Sequence, residues 1–197
     1  MIDITHKSNT LRTATAQAIV KVSKQETIQA IHDKTVPKGD VFAMSKAAGL
    51  LGVKKTPELL PDCHPMPIEY TGIEYAIEGL DIIIQVTVKT IYKTGVEVEA
   101  MHGASIVALN MYDMLKPIDK GIEIHAIKLL EKKGGESSYP IADVSGLTAG
   151  IVVCSDTLSQ GIGEDKSGAV IQERMQAYGL QTSYIQIIAD DAEQIKN

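Results

Sequence analysis

Aromatic residues and cysteines are scarce in this chain of 197 residues, which has no tryptophan, one phenylalanine and two cysteines. Single-stranded nucleic acids are held largely by stacking their bases on aromatic side chains, so this composition leaves few platforms for such a partner. Two cysteines are too few for a disulfide framework. We therefore expect a reducing, cytoplasmic setting rather than secretion.

Long hydrophobic runs and an excess of positive charge are also missing. The sequence shows neither a signal peptide nor an apolar stretch long enough to span a membrane. Its formal net charge of -6 gives no overall attraction to nucleic acid. An anionic substrate would have to be held by locally gathered lysines. We expect a protein that binds neither membranes nor nucleic acid and, with 44% hydrophobic residues, can build a proper core.

The stretch KTGVEVEAMHGASIVALNMYDMLKP, residues 93–117, predicts one long helix. Thr94 and Glu97 have the spacing of a capping box, which predicts the start of the helix. Pro117 lacks a backbone donor and predicts its end. Apolar residues cover most of the surface between, so this helix must be buried against other elements or another subunit.

Charged residues near both ends of this helix call for an explanation. Glu99 and Asp113 lie about 21 Å apart along a straight helix. They can serve two separate sites, or a two-fold axis can bring opposite ends of two copies into one shared site. The apolar surface of the helix favours the shared site.

The remaining patterns predict an α+β fold with an antiparallel sheet and helices on one face. Strands and helices follow one another in an irregular order, and Gly79 separates two strands that pair as a hairpin. The predicted strands are 14–24, 68–78, 81–92 and 122–131, and the predicted helices are 26–33, 41–51 (ended by Gly52) and a short one capped by Thr56.

A glycine- and serine-rich stretch, 132–146, separates this region from a different pattern. Apolar strands at 148–155 and 183–189 with a helix between them indicate an incomplete α/β (βαβ) segment. A parallel sheet cannot close in about fifty residues. We predict domains at 1–140 and 148–197 joined by a linker at 141–147, with the chain truncated inside the second domain.

Several residues could carry chemistry, and each also has a structural interpretation. Lys38 at a helix entrance suits a phosphate, but is more often a solvated turn lysine. Cys63 and His64, between two prolines, form a weak nucleophilic pair without the spacing of a metal site. Asp113 and Lys116 lie on one helix face, either as a general acid and base or as an ordinary ion pair.

Four segments carry a family resemblance: VPKGDVF (36–42), LLPDCHP (59–65), YKTGVEVEA (92–100) and YDMLK (112–116). In this order and spacing they resemble the MoaC family, the cyclic pyranopterin monophosphate synthases of molybdenum cofactor biosynthesis. The resemblance covers residues 1–140. It implies a ferredoxin-like fold and a homohexamer, a trimer of dimers, with active sites at dimer interfaces.

The resemblance also implies a reaction and a set of site residues. The substrate would be the 3′,8-cyclised dihydro-GTP made by a radical-SAM GTP cyclase, which is rearranged to a pterin with closure of a cyclic phosphate and release of pyrophosphate. No cofactor is required, although Mg²⁺ can accompany the triphosphate. The implied catalytic residues are Lys38, Asp113 and Lys116, and the implied substrate-binding residues are Arg12, Cys63, His64, Glu97, Val98, Glu99 and Lys132.

Residues 148–197, with SDTLSQGIGEDKSG and Asp190, resemble the start of the MogA/MoaB molybdopterin-binding family. The Gly-Gly-Thr-Gly segment of that family is absent, so no adenylyl-transfer or pterin-binding activity is assigned to this part. Two other functions stay open for the chain. One is a non-catalytic nucleotide- or pterin-binding module, and the other is a hydrolase that depends on Cys63.

Overall fold

The computed structural model describes residues 1–135, 144 and 146–196. Its contacts divide the chain into two units, residues 1–139 and 140–197. Most of the predicted linker, 141–143 and 145, lies outside the described residues, so the domain limits drawn from the sequence stay predictions.

The first unit is a four-stranded antiparallel sheet covered by helices, as the sequence predicts. The elements are β1 (Thr10–Lys21), α1 (Gln25–His32), α2 (Val41–Leu59), β2 (Tyr70–Glu78), β3 (Asp81–Tyr92), α3 (Glu97–Leu115) and β4 (Glu123–Lys133). The strand order is β2-β3-β1-β4, and every neighbouring pair is antiparallel. Helix α3 packs on β1, β3 and β4, and α2 packs on α3 and β2.

The core lies between α3 and the two central strands. Alternate residues of β1 and β3 pair across the ladder and are fully buried, for example Ala16 with Val86 and Ala18 with Ile84. Small residues on β1 let α3 approach the sheet, while Val and Ile side chains on β3 fill the space between α3 and the sheet. Each fully buried Val or Ile side chain contributes roughly 1.5–3 kcal/mol.

Helix α2 is one helix of 19 residues, whereas the sequence predicts an end at Gly52 and a new helix capped by Thr56. That prediction is wrong because of packing. A Cβ at Gly52 would lie 2.9 Å from Ile106 Cγ1, so the missing side chain lets α2 approach α3. Thr56 is buried within α2, where its hydroxyl contacts His102 Nδ1 at 3.0 Å. This tertiary contact outweighs the helix-propensity cost of glycine, about 1 kcal/mol.

Helix α3 is present, but the capping box predicted for its start is wrong. The N-cap is Val96, without a side-chain hydrogen bond, and the helix begins at Glu97. The Glu97 carboxylate is engaged elsewhere, because it accepts from Lys132 Nζ at 3.1 Å. The helix ends before Pro117, as predicted.

A buried carboxylate ties the end of α3 to the start of α1. Asp119 is 2% exposed and accepts hydrogen bonds from four donors. Burial raises the pKa of this carboxyl, but the bonds from Ser23, Gly121 and Thr27 outweigh burial and hold it at about 2. These hydrogen bonds to Asp119 fix the segment that follows the last turn of α3.

The second unit is a two-stranded parallel sheet with two helices between its strands. Asp191 accepts from the backbone N–H groups of Glu193 and Gln194 at the start of the last helix. Along the described stretches of the chain, no helix has both the length and the apolar composition to cross a membrane. The elements are β5 (Thr148–Cys154), α4 (Asp156–Ser159), α5 (Lys166–Ala177), β6 (Gln181–Ile188) and α6 (Ala192–Lys196).

Candidate active site

Asp113, in the last turn of α3, holds one lysine on each carboxylate oxygen. Lys116 Nζ lies 2.7 Å from Oδ1, and Lys38 Nζ lies 2.6 Å from Oδ2. Lys116 directly follows α3, and Lys38 comes from the loop before α2, so the sheet-packed helix pair sets their spacing. The three side chains are 39–50% exposed, and a ligand can therefore reach them.

The two lysines keep Asp113 ionised. Hydrogen bonds from Lys116 and then Lys38 lower the pKa of the Asp113 carboxyl to about 2. The same carboxylate raises the pKa of Lys116. At neutral pH two ammonium groups therefore flank one carboxylate. This cluster has a local charge of about +1 on an acidic protein, which suits an anionic ligand.

A second cluster lies at the other end of α3, around a buried carboxyl. Glu99 is 1% exposed, and Cys63 Sγ donates to its Oε1 at 3.1 Å. Its Oε2 is buried without a hydrogen-bond partner among the residues that the structure describes. Burial raises the pKa of Glu99. Burial, followed by the hydrogen bond to Glu99, raises the pKa of the Cys63 thiol to about 12.

The N-terminal arm lies against the loop that carries Cys63. The Met1 ammonium pairs with Asp62 at 2.9 Å, and His64 Nε2 lies 2.8 Å from the carbonyl oxygen of Ile2. A carbonyl only accepts, so His64 donates through Nε2. The arm therefore fixes the imidazole beside the Glu99 end of α3.

Basic residues from β1 and β4 meet at the same end of α3. Arg12 donates to the carbonyls of Tyr92 and Lys93, both at 3.2 Å. Gly135, with φ of 84°, adopts the left-handed conformation that favours glycine, and its backbone lies beside the Arg12 guanidinium. Lys132 pairs with Glu97, as noted above. Two cations and a carboxylate therefore flank the start of α3.

The residues implied by the family resemblance thus fall into two groups within one chain. Lys38, Asp113 and Lys116 form the Asp113 cluster. Across residues 1–135 no hydrogen bond or ion pair joins them to the other group, which lies at the start of α3. The members of this Glu99-end group are Arg12, Cys63, His64, Glu97, Val98, Glu99 and Lys132; Val98 is 44% exposed on the first turn of the helix.

The described residues offer no group of three or more His, Cys, Asp or Glu side chains that could hold a metal ion. The functional groups of the two clusters are ammonium groups, a guanidinium, carboxyls, an imidazole and a thiol.

One contact near the site was missed by the sequence reasoning. Lys34 Nζ pairs with Asp40 Oδ2 at 2.9 Å, which closes the loop that carries Lys38. Asp40 is the N-cap of α2, and its Oδ1 accepts from Ala43 N at 3.0 Å. A surface lysine six positions earlier gives no signal of its own, so only the structure reveals the pair.

Comparison with known proteins identifies the family of this chain. A family model described as the MoaC family matches residues 1–135. The cyclic pyranopterin monophosphate synthase of Syntrophomonas wolfei is 44% identical over 145 residues, which cover 73% of this chain and 92% of that protein. The protein of the same name from Geotalea uraniireducens is 48% identical over 139 residues, which cover 70% of this chain and 86% of that protein.

A third relative spans both units. The molybdenum cofactor biosynthesis bifunctional protein of Chlorobaculum tepidum is 40% identical over 195 residues, 99% of this chain. The match covers 61% of that relative's length. The family model matches most of the chain, and the Syntrophomonas and Geotalea proteins are matched over 92% and 86% of their length. The chain therefore belongs to the MoaC family.

Proposed function

We propose that this chain is a cyclic pyranopterin monophosphate synthase of molybdenum cofactor biosynthesis. It converts (8S)-3′,8-cyclo-7,8-dihydroguanosine 5′-triphosphate to cyclic pyranopterin monophosphate and releases pyrophosphate. Two relatives that bear this enzyme name, 44% and 48% identical, support the proposal. The observation that carries it is the Asp113 cluster, in which one carboxylate holds two lysines within 2.7 Å.

The cluster suits a substrate that is both a triphosphate and a target of proton transfer. Lys38 and Lys116 bind phosphate oxygens and donate protons to oxygens on which negative charge develops. A phosphate that draws Lys38 away from Asp113 removes one cause of that carboxyl's low pKa. The pKa of Asp113 then rises toward the ordinary range, and the carboxylate becomes a better general base in the complex than in the free enzyme.

The active site of this proposal is shared between two copies of the chain. About 21 Å of helix separates Glu99 from Asp113, too far for one small substrate to engage both ends within a chain. An isologous interface places the Glu99 end of one copy near the Asp113 cluster of the other. The homohexamer of three such dimers, a cytoplasmic location and a substrate supplied by a radical-SAM GTP cyclase belong to the same proposal. Mg²⁺ would arrive with the triphosphate.

The experiment that tests the function uses Asp113→Asn. Asparagine keeps the shape of the side chain but no longer holds two ammonium groups or accepts a proton. We expect wild type to form pterin and pyrophosphate from the cyclised substrate, and the variant to lose about 100-fold or more in kcat. Asp33→Asn, which changes an exposed carboxylate at the end of α1, is the matched control and should retain wild-type turnover.

The same assay separates the alternatives. A wild-type protein that binds the nucleotide without forming product would be a non-catalytic binding module. Full turnover in Asp113→Asn would remove the role proposed for the cluster.

We propose that the second unit is the beginning of a MogA/MoaB-type α/β domain. The match of the bifunctional relative over 99% of this chain supports the fusion of a second unit to the MoaC-family region. Asp156 and Asp190 follow β5 and β6 at the carboxyl edge of the parallel sheet, where ligands bind in such folds. They are joined by a hydrogen bond of 3.0 Å from Asp190 N to Asp156 Oδ1. No activity is assigned to this unit.

A further inference from the structure

The loop that carries Lys38 starts from an unfavourable backbone conformation. Helix α1 ends in a Schellman turn, in which Thr35 N donates to the Ala30 carbonyl at 3.0 Å. The residue at the left-handed position of this turn is Lys34, with φ of 55°. Glycine is the usual residue there, because a side chain is strained in this region. A lysine at this position suggests that its side chain has a use.

The side chain of Lys34 closes the loop on itself. Its ammonium lies 2.9 Å from Asp40 Oδ2, while Asp40 Oδ1 caps α2. Between these two residues Val36 is 4% exposed and anchors the loop to the core, and Gly39 N donates to the Val36 carbonyl at 2.9 Å. Lys38 is thus held at the tip of a short, closed loop.

The closed loop presents Lys38 to α3. Each oxygen of Asp40 has a partner close in sequence, Ala43 N for Oδ1 and the Lys34 ammonium for Oδ2. The partner of Lys38 is Asp113, whose Oδ2 lies 2.6 Å from its ammonium. The ion pair of Lys34 with Asp40 itself contributes little to stability, since Lys34 is 72% exposed.

We propose that Lys34 and Asp40 are positioning residues, whose ion pair keeps this loop closed and so holds the Lys38 ammonium on Asp113. This inference rests on the proposed function for its kinetic consequences, but its structural consequence can be measured without turnover. Neither residue needs to touch the substrate.

Lys34→Gly is the decisive variant, because it removes the ion pair and the backbone strain together. A purely structural role predicts unchanged or higher stability and unchanged turnover. The positioning role predicts an unchanged or higher melting temperature, a kcat about tenfold lower, and a KM within about twofold of wild type. Lys34→Arg keeps a cation and should restore kcat to within about threefold of wild type.

Asp40→Asn tests the other half of the pair. Asparagine still accepts from Ala43 N and caps α2, but it loses the charge that holds Lys34. We expect the same fall in kcat as in Lys34→Gly, and no further fall in the double variant. Lys55→Gln breaks a comparable exposed ion pair, with Glu58 in α2, and should leave kcat within about twofold of wild type.

Competitive acetylation of the full chain, read by mass spectrometry, reports the position of Lys38 without substrate. An ammonium bound to a carboxylate is a poor target for acetic anhydride. We expect Lys38 labelling about threefold faster in Lys34→Gly than in wild type or Lys55→Gln. Unchanged Lys38 labelling, or wild-type kcat in Lys34→Gly, overturns the inference. If wild type shows no synthase turnover, the proposed function fails, and the labelling ratio alone decides this inference.

Discussion

At the residue scale, the thiol of Cys63 distinguishes a synthase from a thiol-dependent hydrolase. A nucleophilic cysteine needs a lowered pKa and a neighbouring base that accepts its proton. Cys63 has the reverse environment, because burial and Glu99 raise the pKa of its thiol to about 12. The thiol is a hydrogen-bond donor to a buried carboxyl, and it stays protonated throughout the neutral range.

Alkylation measures this difference within one protein. The exposed Cys154 is the internal reference for Cys63. We expect iodoacetamide to modify Cys63 roughly tenfold or more slowly than Cys154 between pH 7 and pH 9, since the neutral thiol is a poor nucleophile. Peptide mass spectrometry over time gives both rates. Equal rates at the two cysteines would show that the thiol of Cys63 ionises normally.

Sequence reasoning at this scale selects residues better than it selects contacts. The family resemblance implies Lys38, Asp113 and Lys116, and the i,i+3 spacing predicts the contact between the last two. The contact of Lys38 with Asp113 spans 75 positions, and no local pattern encodes it. The buried, partly unpaired state of Glu99 likewise depends on packing that the sequence does not display.

At the element scale, the close approach of α2 and α3 fixes both ends of the site. Gly103 on α3 faces Val53 on α2, and a Cβ at Gly103 would lie 2.5 Å from Val53 Cγ2. Val53 is fully buried and cannot move aside freely. The helix pair therefore depends on a missing side chain at this crossing.

Substitutions of Gly103 and Val53 should have strongly non-additive effects on the free energy of unfolding. Gly103→Ala adds a clash that outweighs the gain in helix propensity, and we expect a loss of about 1–2 kcal/mol in the free energy of unfolding. Val53→Ala opens space at the same point. The double variant should therefore be more stable than the sum of the two single changes implies, by about 1 kcal/mol in urea unfolding. Strict additivity would mean that the helices do not meet as described.

The elements themselves show what a sequence can reveal about this fold. The alternation of apolar residues predicts the strands because one face of the sheet is buried, and β3 is found where it was predicted. The helix end predicted at Gly52 and the capping box predicted from Thr94 and Glu97 are wrong for one reason. Local signals for ending and capping a helix are outweighed by contacts with Ile106 and Lys132, which are distant in sequence.

At the scale of the whole molecule, the first unit carries two groups of candidate site residues at opposite ends of α3. The Asp113 cluster supplies cations and a carboxylate, and the Glu99-end group supplies an imidazole, a buried carboxyl and further basic residues. The length of α3 keeps them apart within a chain. The function that we propose therefore requires two copies, each of which contributes the opposite end of its helix.

Complementation between two inactive variants tests this claim most directly. His64→Ala damages only the Glu99-end group, and Asp113→Asn damages only the Asp113 cluster. In a mixed dimer, one site carries both defects and the other carries none. Purification through two affinity tags after co-expression should therefore yield mixed assemblies with about half of wild-type turnover if they are dimers, and with about a quarter if they are hexamers whose copies pair at random. Mixed assemblies no more active than their inactive parents would contradict a shared site.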